Sequence, residues 1–538
     1  MQYKGVTMNI KRIIGIIGSL VMVSNSIFSV SATTDDANSI NYAKALQQSL
    51  YFYDANLCGN TVTEHSLFNW REDCHAIDCS VSTDYGTLDL SGGFHDAGDH
   101  VKFGLTQAYT LSMLGLGYYN FSDGYIQTGQ QPHIKNISTY FADYFKKCTV
   151  LDDNGNVKAF CYQVGDGEID HSVWTSPEQQ QGERPALFAT PKNPCTDIVA
   201  NTSGALAMYY INFKDDEALE YAEKLYQFAK SNDKKVATIG CKDYYETTSY
   251  LDDLSWACAC LYKATGDTSY LDECKEYLKQ AGEDYLYSGW CPDWSDVWLM
   301  TATMIEDWDT VSNTLDDLIS DTDYKTPQGF YYFTDWGSNR YNSNTQVIGL
   351  IYDKYNDTDK YTTWAKSQMD YILGDNDSNT CYMVGYSESS VKHPHHCASS
   401  GLDDFPQDND TTPQKHVLVG ALVGGVGKDD NYHDTTDDYQ CNEVAIDYNA
   451  GFSVALSGLY LRYGKNDSIS SSIVGTDVLL GDINCDKSIG YIDLLLLKKY
   501  LFNMTSIDTH KADYLNANVN GDSTIDVMDI ITLKSLIL

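Results

Sequence analysis

Positive charge is scarce in this sequence, which has 36 Lys and Arg against 75 Asp and Glu in 538 residues and a formal net charge of -39. Such a surface repels nucleic acids and anionic membranes, so both are excluded as partners. A neutral or cationic ligand is favoured instead. Aromatic residues are plentiful, with 42 Tyr, and flat rings pair well with the apolar faces of sugars.

Long hydrophobic runs are absent beyond the N-terminus, so no later segment is predicted to span a membrane. Residues 1–32 have the parts of a signal peptide: a basic start, an apolar run over residues 13–23 and small residues at 30–32. A membrane anchor is the alternative, but the apolar run is short and ends at Ser24. We therefore expect a secreted, extracellular protein.

The cysteines also show no regular paired spacing along the sequence. The 15 cysteines are odd in number and scattered, whereas a secreted disulfide framework shows an even, patterned set. Several of them, such as Cys258 and Cys260, lie inside apolar helical patterns. We expect few disulfides.

Strand-like alternation is scarce, whereas apolar residues at helical spacing recur from about residue 39 to residue 464. The clearest helical patterns cover residues 43–57, 107–119, 203–213, 218–229, 254–265, 345–355 and 454–463. Turn-forming residues separate them. The pattern predicts an all-α domain, a closed barrel of helical hairpins whose loops build a cleft at one end.

Composition changes after Lys465, where a short Ser-rich stretch over residues 466–477 is predicted to be a linker. The tail that follows contains an internal repeat. Oxygen-bearing residues occupy positions 1, 3, 5, 7 and 12 of two twelve-residue loops, each running into an apolar helix over 494–501 or 530–536. Ligands at these offsets converge on Ca²⁺, so two calcium ions are expected. The candidate ligands are Asp482, Asn484, Asp486, Ser488 and Asp493 in the first loop and Asn518, Asn520, Asp522, Thr524 and Asp529 in the second.

The tail differs from an EF-hand, which has Glu at position 12, Gly at position 6 and a helix before the loop. Over residues 478–538 it resembles the type I dockerin, which binds cohesin domains of a scaffold protein in the cellulosome. That resemblance implies a cohesin partner. The Gly that the family usually has at position 6 is replaced by Lys487 and Ser523.

Carboxyl groups are concentrated in two stretches of the sequence. Glycoside hydrolysis needs two carboxyl groups, one acting as the acid and one as the base. Residues 92–103 contain Asp96 and Asp99 among glycines, and residues 432–450 contain Glu443. Taken alone, these are an Asp-rich turn and a Glu favoured by the dipole of a helix N-terminus. We expect Glu443 to open a long apolar helix, in a partly dry environment that raises its pKa.

Together the two stretches resemble glycoside hydrolase family 9, whose members are mainly inverting cellulases built on an (α/α)₆ barrel. The resemblance runs from residue 41 to residue 463 and includes the matching segments at 170–174, 336–341 and 371–376. It implies a catalytic domain over residues 33–465 and, with the tail, a secreted cellulosomal endo-β-1,4-glucanase.

The resemblance also implies residue roles. Asp99 would activate water as general base, Asp96 would hold that water, and Glu443 would protonate the glycosidic oxygen. Asp434 and His395 match other active-site positions of the family. The positions that match residues lining the family's substrate cleft are His171, Trp174, Arg340 and Tyr341.

One position departs from the family pattern. The family motif is Pro-His-His-Arg, and this chain has Cys397 in place of the arginine, which removes a fork of hydrogen-bond donors. Cys397 motivates one alternative, a weakly catalytic carbohydrate-binding component of the cellulosome. A processive or exo-acting glucanase, or an enzyme for xyloglucan or mixed-linkage β-glucan, also stays open because a sequence does not display the subsites that decide between them.

Overall fold

A computed structural model of the chain describes residues 40–241, 244–281, 292–470, 480–484, 488–502, 504, 516–520 and 525–537. The predicted signal peptide and residues 471–477 of the predicted linker lie outside this part of the chain. So do three of the candidate calcium ligands, which are Asp486, Asp522 and Thr524.

Helices make up most of the described chain. In the N-terminal half they are α1 (Tyr42–Asn56), α2 (Val62–His65), α3 (Gly104–Gln127), α4 (Gln131–Cys148), α5 (Gly167–Asp170), α6 (Thr196–Phe213), α7 (Asp216–Ser231), α8 (Leu251–Thr265) and α9 (Thr268–Ala281). In the C-terminal half they are α10 (Pro292–Met304), α11 (Trp308–Ser320), α12 (Ser338–Asn356), α13 (Lys360–Ile372), α14 (Cys397–Ser400), α15 (Ile446–Tyr463), α16 (Tyr491–Leu501) and α17 (Val527–Ile537).

Six of these helices close into a ring. Helix α3 packs on α6, α6 on α8, α8 on α10, α10 on α12, α12 on α15, and α15 returns to α3. Helices α1, α4, α7, α9, α11 and α13 pack against the outside of this ring. The result is a double-layered helical barrel, as the helical hairpin pattern of the sequence predicts.

The two layers differ because inner helices are covered on all sides. Small residues let them approach closely: a side chain at Gly204 on α6 would meet Trp256 of α8 at 2.3 Å, and one at Gly451 on α15 would meet Asn344 of α12 at 2.0 Å. The outer helices α4 and α7 are amphipathic instead. Helix α7 begins at an Asp215 cap that accepts two backbone N–H groups.

The described chain also contains short β-strands. They are β1 (Val81–Thr83), β2 (Gly86–Leu88), β3 (Lys102–Phe103), β4 (Thr149–Leu151), β5 (Val157–Val164) and β6 (Ala186–Ala189). Strand β5 is the centre of an antiparallel sheet and pairs with β3, β4 and β6. Six consecutive residues of β5 are buried, so the strand shows no polar alternation in the sequence.

The first residues of the predicted linker pack against α1. The Asp467 carboxylate accepts the backbone N–H of Tyr42 at 2.8 Å. The Gln47 side chain accepts from the Ser470 backbone N–H at 2.8 Å and donates to the Ser470 carbonyl at 3.3 Å. Residues 466–470 therefore belong to the packed surface of the barrel.

The tail has its own core. Helices α16 and α17 pack on each other and share a buried cluster that includes Leu494, Leu497 and Leu533. Both helices begin three residues before their predicted starts. Among the described residues, no helix is long and apolar enough to cross a membrane.

Candidate active site

The carboxyl groups singled out by the sequence lie in segments that precede inner helices. Asp96 and Asp99 come just before β3 and α3, whereas Glu443 comes just before α15. Backbone hydrogen bonds join these segments: Ile446 donates to the Asp96 carbonyl at 2.9 Å, and Cys397 donates to the Gly98 carbonyl at 3.0 Å. The fold thus brings together segments that are far apart in the sequence.

Asp99 is held by its own loop. Its carboxylate accepts backbone N–H groups from Ala97 at 3.1 Å and Val101 at 3.3 Å, and 12% of the side chain is exposed. These bonds fix the orientation of a carboxylate that keeps some exposure, and a general base must be both positioned and accessible.

Asp96 is buried and has a different environment. One carboxyl oxygen accepts the Thr106 hydroxyl and the other accepts the Tyr245 hydroxyl. Burial raises the pKa of Asp96 well above its usual value, and the charges of Asp99 and Asp447 raise it further, although the two hydroxyl groups oppose the shift. Asp96 therefore binds a proton more readily than an exposed aspartate does.

His171 lies at the mouth of the site, with Nε2 3.4 Å from the Oδ2 atom of Asp99. Burial lowers the pKa of this imidazole, but the hydrogen bond and charge of Asp99 outweigh burial and raise the pKa to about 9. The imidazole is therefore cationic at neutral pH. It adds positive charge next to the candidate base.

Glu443 does not open a helix, contrary to the prediction. It lies three residues before α15, in a parallel bridge with His395. Its carboxyl accepts the Tyr448 hydroxyl at 2.6 Å and the indole N–H of Trp336. Burial raises the pKa of Glu443, and these two hydrogen bonds oppose the rise only in part. A raised pKa suits a carboxyl group that must donate a proton.

Asp434 and His395 hold the neighbouring loop. Asp434 accepts the backbone N–H groups of Lys392 and His393, each at 2.9 Å. The Nδ1 atom of His395 lies 2.6 Å from the Thr436 carbonyl, and burial lowers the pKa of the ring. A neutral His395 that donates from Nδ1 leaves Nε2 as an acceptor.

Four other residues singled out in the sequence are buried. The indole N–H of Trp174 donates to Ser400 at 2.9 Å, and the ring packs edge-on against His395. Arg340 is 6% exposed and Tyr341 is 5% exposed. Cys397 is buried too, and burial raises the pKa of its thiol.

Sequence reasoning did not assign roles to Trp336, Tyr439, Tyr245 and Tyr448. Trp336 is 42% exposed and Tyr439 is 53% exposed, with ring centroids 5.4 Å apart, so they form an open aromatic wall beside Glu443. An exposed aromatic pair is a signal for sugar stacking, but only the structure shows the exposure. Tyr245 lies far along the chain from Asp96 and gave no signal.

Four buried side chains next to the site can hold a metal ion. The sulfur atoms of Cys58 and Cys74 and ring nitrogens of His75 and His95 all lie within 4.8 Å of one another. A hydrogen bond from Cys58 is the main cause that lowers the pKa of the Cys74 thiol to about 7. Two Cys and two His are the donor set of structural zinc sites. In the sequence these cysteines are scattered, and the adjacent Cys74 and His75 are the one local signal of the cluster.

Comparison with known proteins identifies the barrel. Residues 42–456 match the glycosyl hydrolase family 9 domain. The chain belongs to glycosyl hydrolase family 9. The described ring of six inner helices with six outer ones is the (α/α)₆ barrel of that family, and the predicted fold is confirmed. Residues 480–538 match the type I dockerin domain, so this family 9 enzyme carries a dockerin at the C-terminal end of the sequence.

Relatives place the family 9 domain among endoglucanases. Endoglucanase B of Cellulomonas fimi is 34% identical over 80% of this chain, and the match spans 43% of that longer protein. Endoglucanase A of Bacillus pumilus is 32% identical over 80% of this chain and 68% of its own length. The predicted glycoside hydrolase class is confirmed.

Solved structures agree with this placement. The catalytic domain of Clostridium thermocellum CelT is 43% identical, with a TM-score of 0.73 over 81% of this chain and 100% of that domain. The cellulase Cel9M of C. cellulolyticum is 37% identical, with a TM-score of 0.71 over 80% of this chain and 100% of that structure.

Proposed function

We propose that this family 9 enzyme is a secreted, cellulosome-attached endo-β-1,4-glucanase that cleaves with inversion. The observation that supports it most is the contrast between two carboxyl groups in one site. Asp99 is held by backbone N–H groups and paired with His171, whereas Glu443 accepts hydrogen bonds from the side chains of Tyr448 and Trp336 and has a raised pKa, chiefly because desolvation disfavours its charged form. Paired carboxyl groups in unlike environments divide into base and acid.

The reaction needs no covalent intermediate. Glu443 donates its proton to the glycosidic oxygen as the bond to the anomeric carbon breaks, and Asp99 takes a proton from the attacking water. Asp96, whose carboxyl is fixed by two hydroxyl groups, helps to hold that water. Inversion places water between base and sugar and requires the two carboxyl groups to lie about 6.5–9.5 Å apart.

The substrate class follows from the open aromatic wall and the charge of the chain. Trp336 and Tyr439 present rings beside the candidate acid, and such rings stack on the apolar faces of sugars. A neutral polymer suits a chain with a net charge of -39. A relative that is 32% identical, endoglucanase CelQ of C. thermocellum, has been solved in complex with cellotetraose.

The dockerin is proposed to bind two Ca²⁺ ions and a cohesin domain. In the first loop Asp493 accepts N–H groups from Ile483 and Asn484, and in the second Asp529 accepts from Asn520. The candidate ligands that lie in the described residues are Asp482, Asn484, Ser488, Asp493, Asn518, Asn520 and Asp529. Their hard oxygen donors suit Ca²⁺, which would tie each loop to its helix.

The cohesin is proposed to contact equivalent apolar residues at the start of each dockerin helix. Tyr491 and Ile492 on α16 are 69% and 61% exposed, and Val527 and Met528 on α17 are 63% and 52% exposed. Large apolar side chains this exposed mark an interaction surface.

Release of reducing sugar from carboxymethyl-cellulose tests the catalytic proposal. Asp99→Ala and Glu443→Ala should each lower the rate by about 10³-fold or more, since each removes a proton-transfer group. Asp233→Ala, at a side chain that is 87% exposed, should match wild type. A wild-type protein that binds β-glucan without cleaving it would instead support the carbohydrate-binding alternative.

Product analysis separates the remaining enzyme alternatives. Proton NMR of the first products should show the α-anomer, because inversion converts a β-linkage to an α-hydroxyl. A rapid fall in polymer viscosity would support endo action, whereas early release of one short sugar would favour a processive or exo-acting enzyme. Parallel assays on xyloglucan and mixed-linkage β-glucan rank the substrates.

A further inference from the structure

We infer that Arg340 and Asp447 form a positioning pair for the Glu443 carboxyl, acting through Tyr448, and that they are not a sugar-binding pair. This inference rests on the proposed function, in which Glu443 is the general acid. It assigns a role to two residues that the proposed chemistry does not use.

The pair is formed by the first turns of two inner helices. The Nη1 atom of Arg340 on α12 lies 2.6 Å from the Oδ2 atom of Asp447 on α15, and the two side chains are only 7% and 1% exposed. A buried charge is costly unless it is paired, so each residue depends on the other for its charge. The contact also joins α12 to α15, the helix that follows Glu443.

Tyr448 connects this pair to the acid. The guanidinium carbon of Arg340 lies 4.8 Å from the centre of the Tyr448 ring and 4.4 Å from that of Tyr341. The Tyr448 hydroxyl donates to Glu443 at 2.6 Å. Asp447 precedes Tyr448 in the same helical turn, so the ion pair and the stacked guanidinium both restrict where the hydroxyl points.

The pair also balances charge around Glu443. Burial is the largest cause that raises the pKa of Glu443; the positive charge of Arg340 opposes it, and the negative charge of Asp447 adds to it. Further titratable groups face Glu443 from other segments, namely His171, Tyr245 and, through the backbone bridge, His395. They are unchanged in the variants below, so the variants report on the pair alone.

A sugar-binding role fits the geometry less well. A hydroxyl group of the substrate would have to reach a guanidinium that is already shared between Asp447, Tyr341 and Tyr448. Trp336, on the same segment, is instead open to solvent and contacts Glu443 directly. Trp336 therefore lies on the open side of the site, and Arg340 lies on its buried side.

The test is the pH dependence of kcat/KM for the full chain on a soluble β-glucan. The alkaline limb reports loss of the proton from the general acid. Removing the positive charge in Arg340→Met should move this limb to higher pH, and removing the negative charge in Asp447→Asn should move it to lower pH. Each shift should be on the order of one pH unit, the usual effect of a close charge.

Two further variants keep the test decisive if a single change disturbs folding. Arg340→Lys keeps the charge and should restore the limb to within a few tenths of a pH unit. The double variant Arg340→Met/Asp447→Asn buries no net charge and should lie between the single variants. Circular dichroism selects folded samples, and KM should stay within about threefold of wild type if the pair does not grip sugar.

The outcomes separate the inference from the proposed function. A wild-type enzyme without β-glucanase activity, or an active Glu443→Ala variant, overturns the proposed function. With those controls in order, limbs that do not move in opposite directions, or a large rise in KM with an unmoved limb, overturn the positioning pair.

Discussion

His171 and Asp99 are paired, with the Nε2 and Oδ2 atoms 3.4 Å apart. Burial lowers the pKa of His171, but the pairing, together with the charges of Asp170 and Glu443, raises it to about 9. Because the folded-state pKa lies above the usual value of about 6.5, the pairing stabilises the fold fully below pH 6.5 and loses this effect as pH rises through 9.

The His171 titration can be followed by NMR of ring-labelled histidine. The His171 signal should titrate near pH 9 in the wild-type protein and move down toward pH 6.5 in Asp99→Asn, because the partner charge is lost. His416 provides the control, since burial and Lys415 lower its pKa and Asp99 does not contribute. A His171 signal that ignores the Asp99 substitution would contradict the pairing.

Zinc should be bound by Cys58, Cys74, His75 and His95. Metal analysis of protein purified without chelator should find one zinc ion per chain, and Cys74→Ser should lose it. Because a metal that binds only the folded state stabilises it, metal removal should lower Tm by about 5 °C or more. Cys274→Ser, at a buried thiol on α9 outside the cluster, should keep the ion. Equal zinc contents in both variants would rule out this site.

Asp78 should be among the residues most important for stability. It is fully buried between Lys102 at 2.9 Å and Arg184 at 3.1 Å, and these partners outweigh burial and lower its pKa. Asp78→Asn leaves two buried cations without their anionic partner. It should lower the free energy of unfolding, measured with denaturant, by about 3–5 kcal/mol. The stabilisation is present above the unfolded-state pKa and lost as pH falls through the lower folded-state pKa.

The matched control for Asp78 is an exposed ion pair. Asp89 contacts Lys147 with side chains that are 49% and 39% exposed, so Asp89→Asn should cost under about 1 kcal/mol. Similar losses for the two variants would mean that the buried cations find other partners.

The end of the catalytic domain should lie beyond the predicted boundary at residue 465. A protein that ends at Ser470 keeps the bonds from Asp467 and Ser470 to α1, whereas one that ends at Lys465 loses them. Loss of a helix N-terminal partner and its neighbouring hydrogen bonds should lower the free energy of unfolding by about 1–3 kcal/mol. Thermal melting of the two truncated proteins decides the boundary. Equal stabilities would favour the predicted boundary at residue 465.

Calcium stoichiometry should report the dockerin loops separately. Asp493→Ala and Asp529→Ala should each remove one high-affinity Ca²⁺ per chain relative to wild type, and the double variant should remove two, because each carboxylate closes one loop. Calorimetric titration after chelation measures this difference even if other sites bind. A single variant that loses both ions would show that the loops fold together.

The sequence alone determined the barrel, because apolar residues at helical spacing identify helices wherever one face is buried. It was inexact at helix starts: the apolar pattern covers only residues 454–463 and Glu443 was expected to open the helix, whereas the helix begins at Ile446. The first turn of α15 carries Asp447 and Asn449, and both are buried. Polar residues at buried positions interrupt the apolar pattern by which a helix is recognised in the sequence. They are tolerated there because tertiary hydrogen bonds and ion pairs compensate for their burial.

The sequence also supplied the candidate acid and base through the resemblance to family 9, and the candidate calcium ligands through a repeated local spacing. Only the tertiary structure decided what surrounds them. It placed Tyr448 and Trp336 on Glu443, paired Arg340 with Asp447, and gathered Cys58, Cys74, His75 and His95 into one cluster. These contacts join distant segments and depend on packing between helices, and a linear pattern does not record packing.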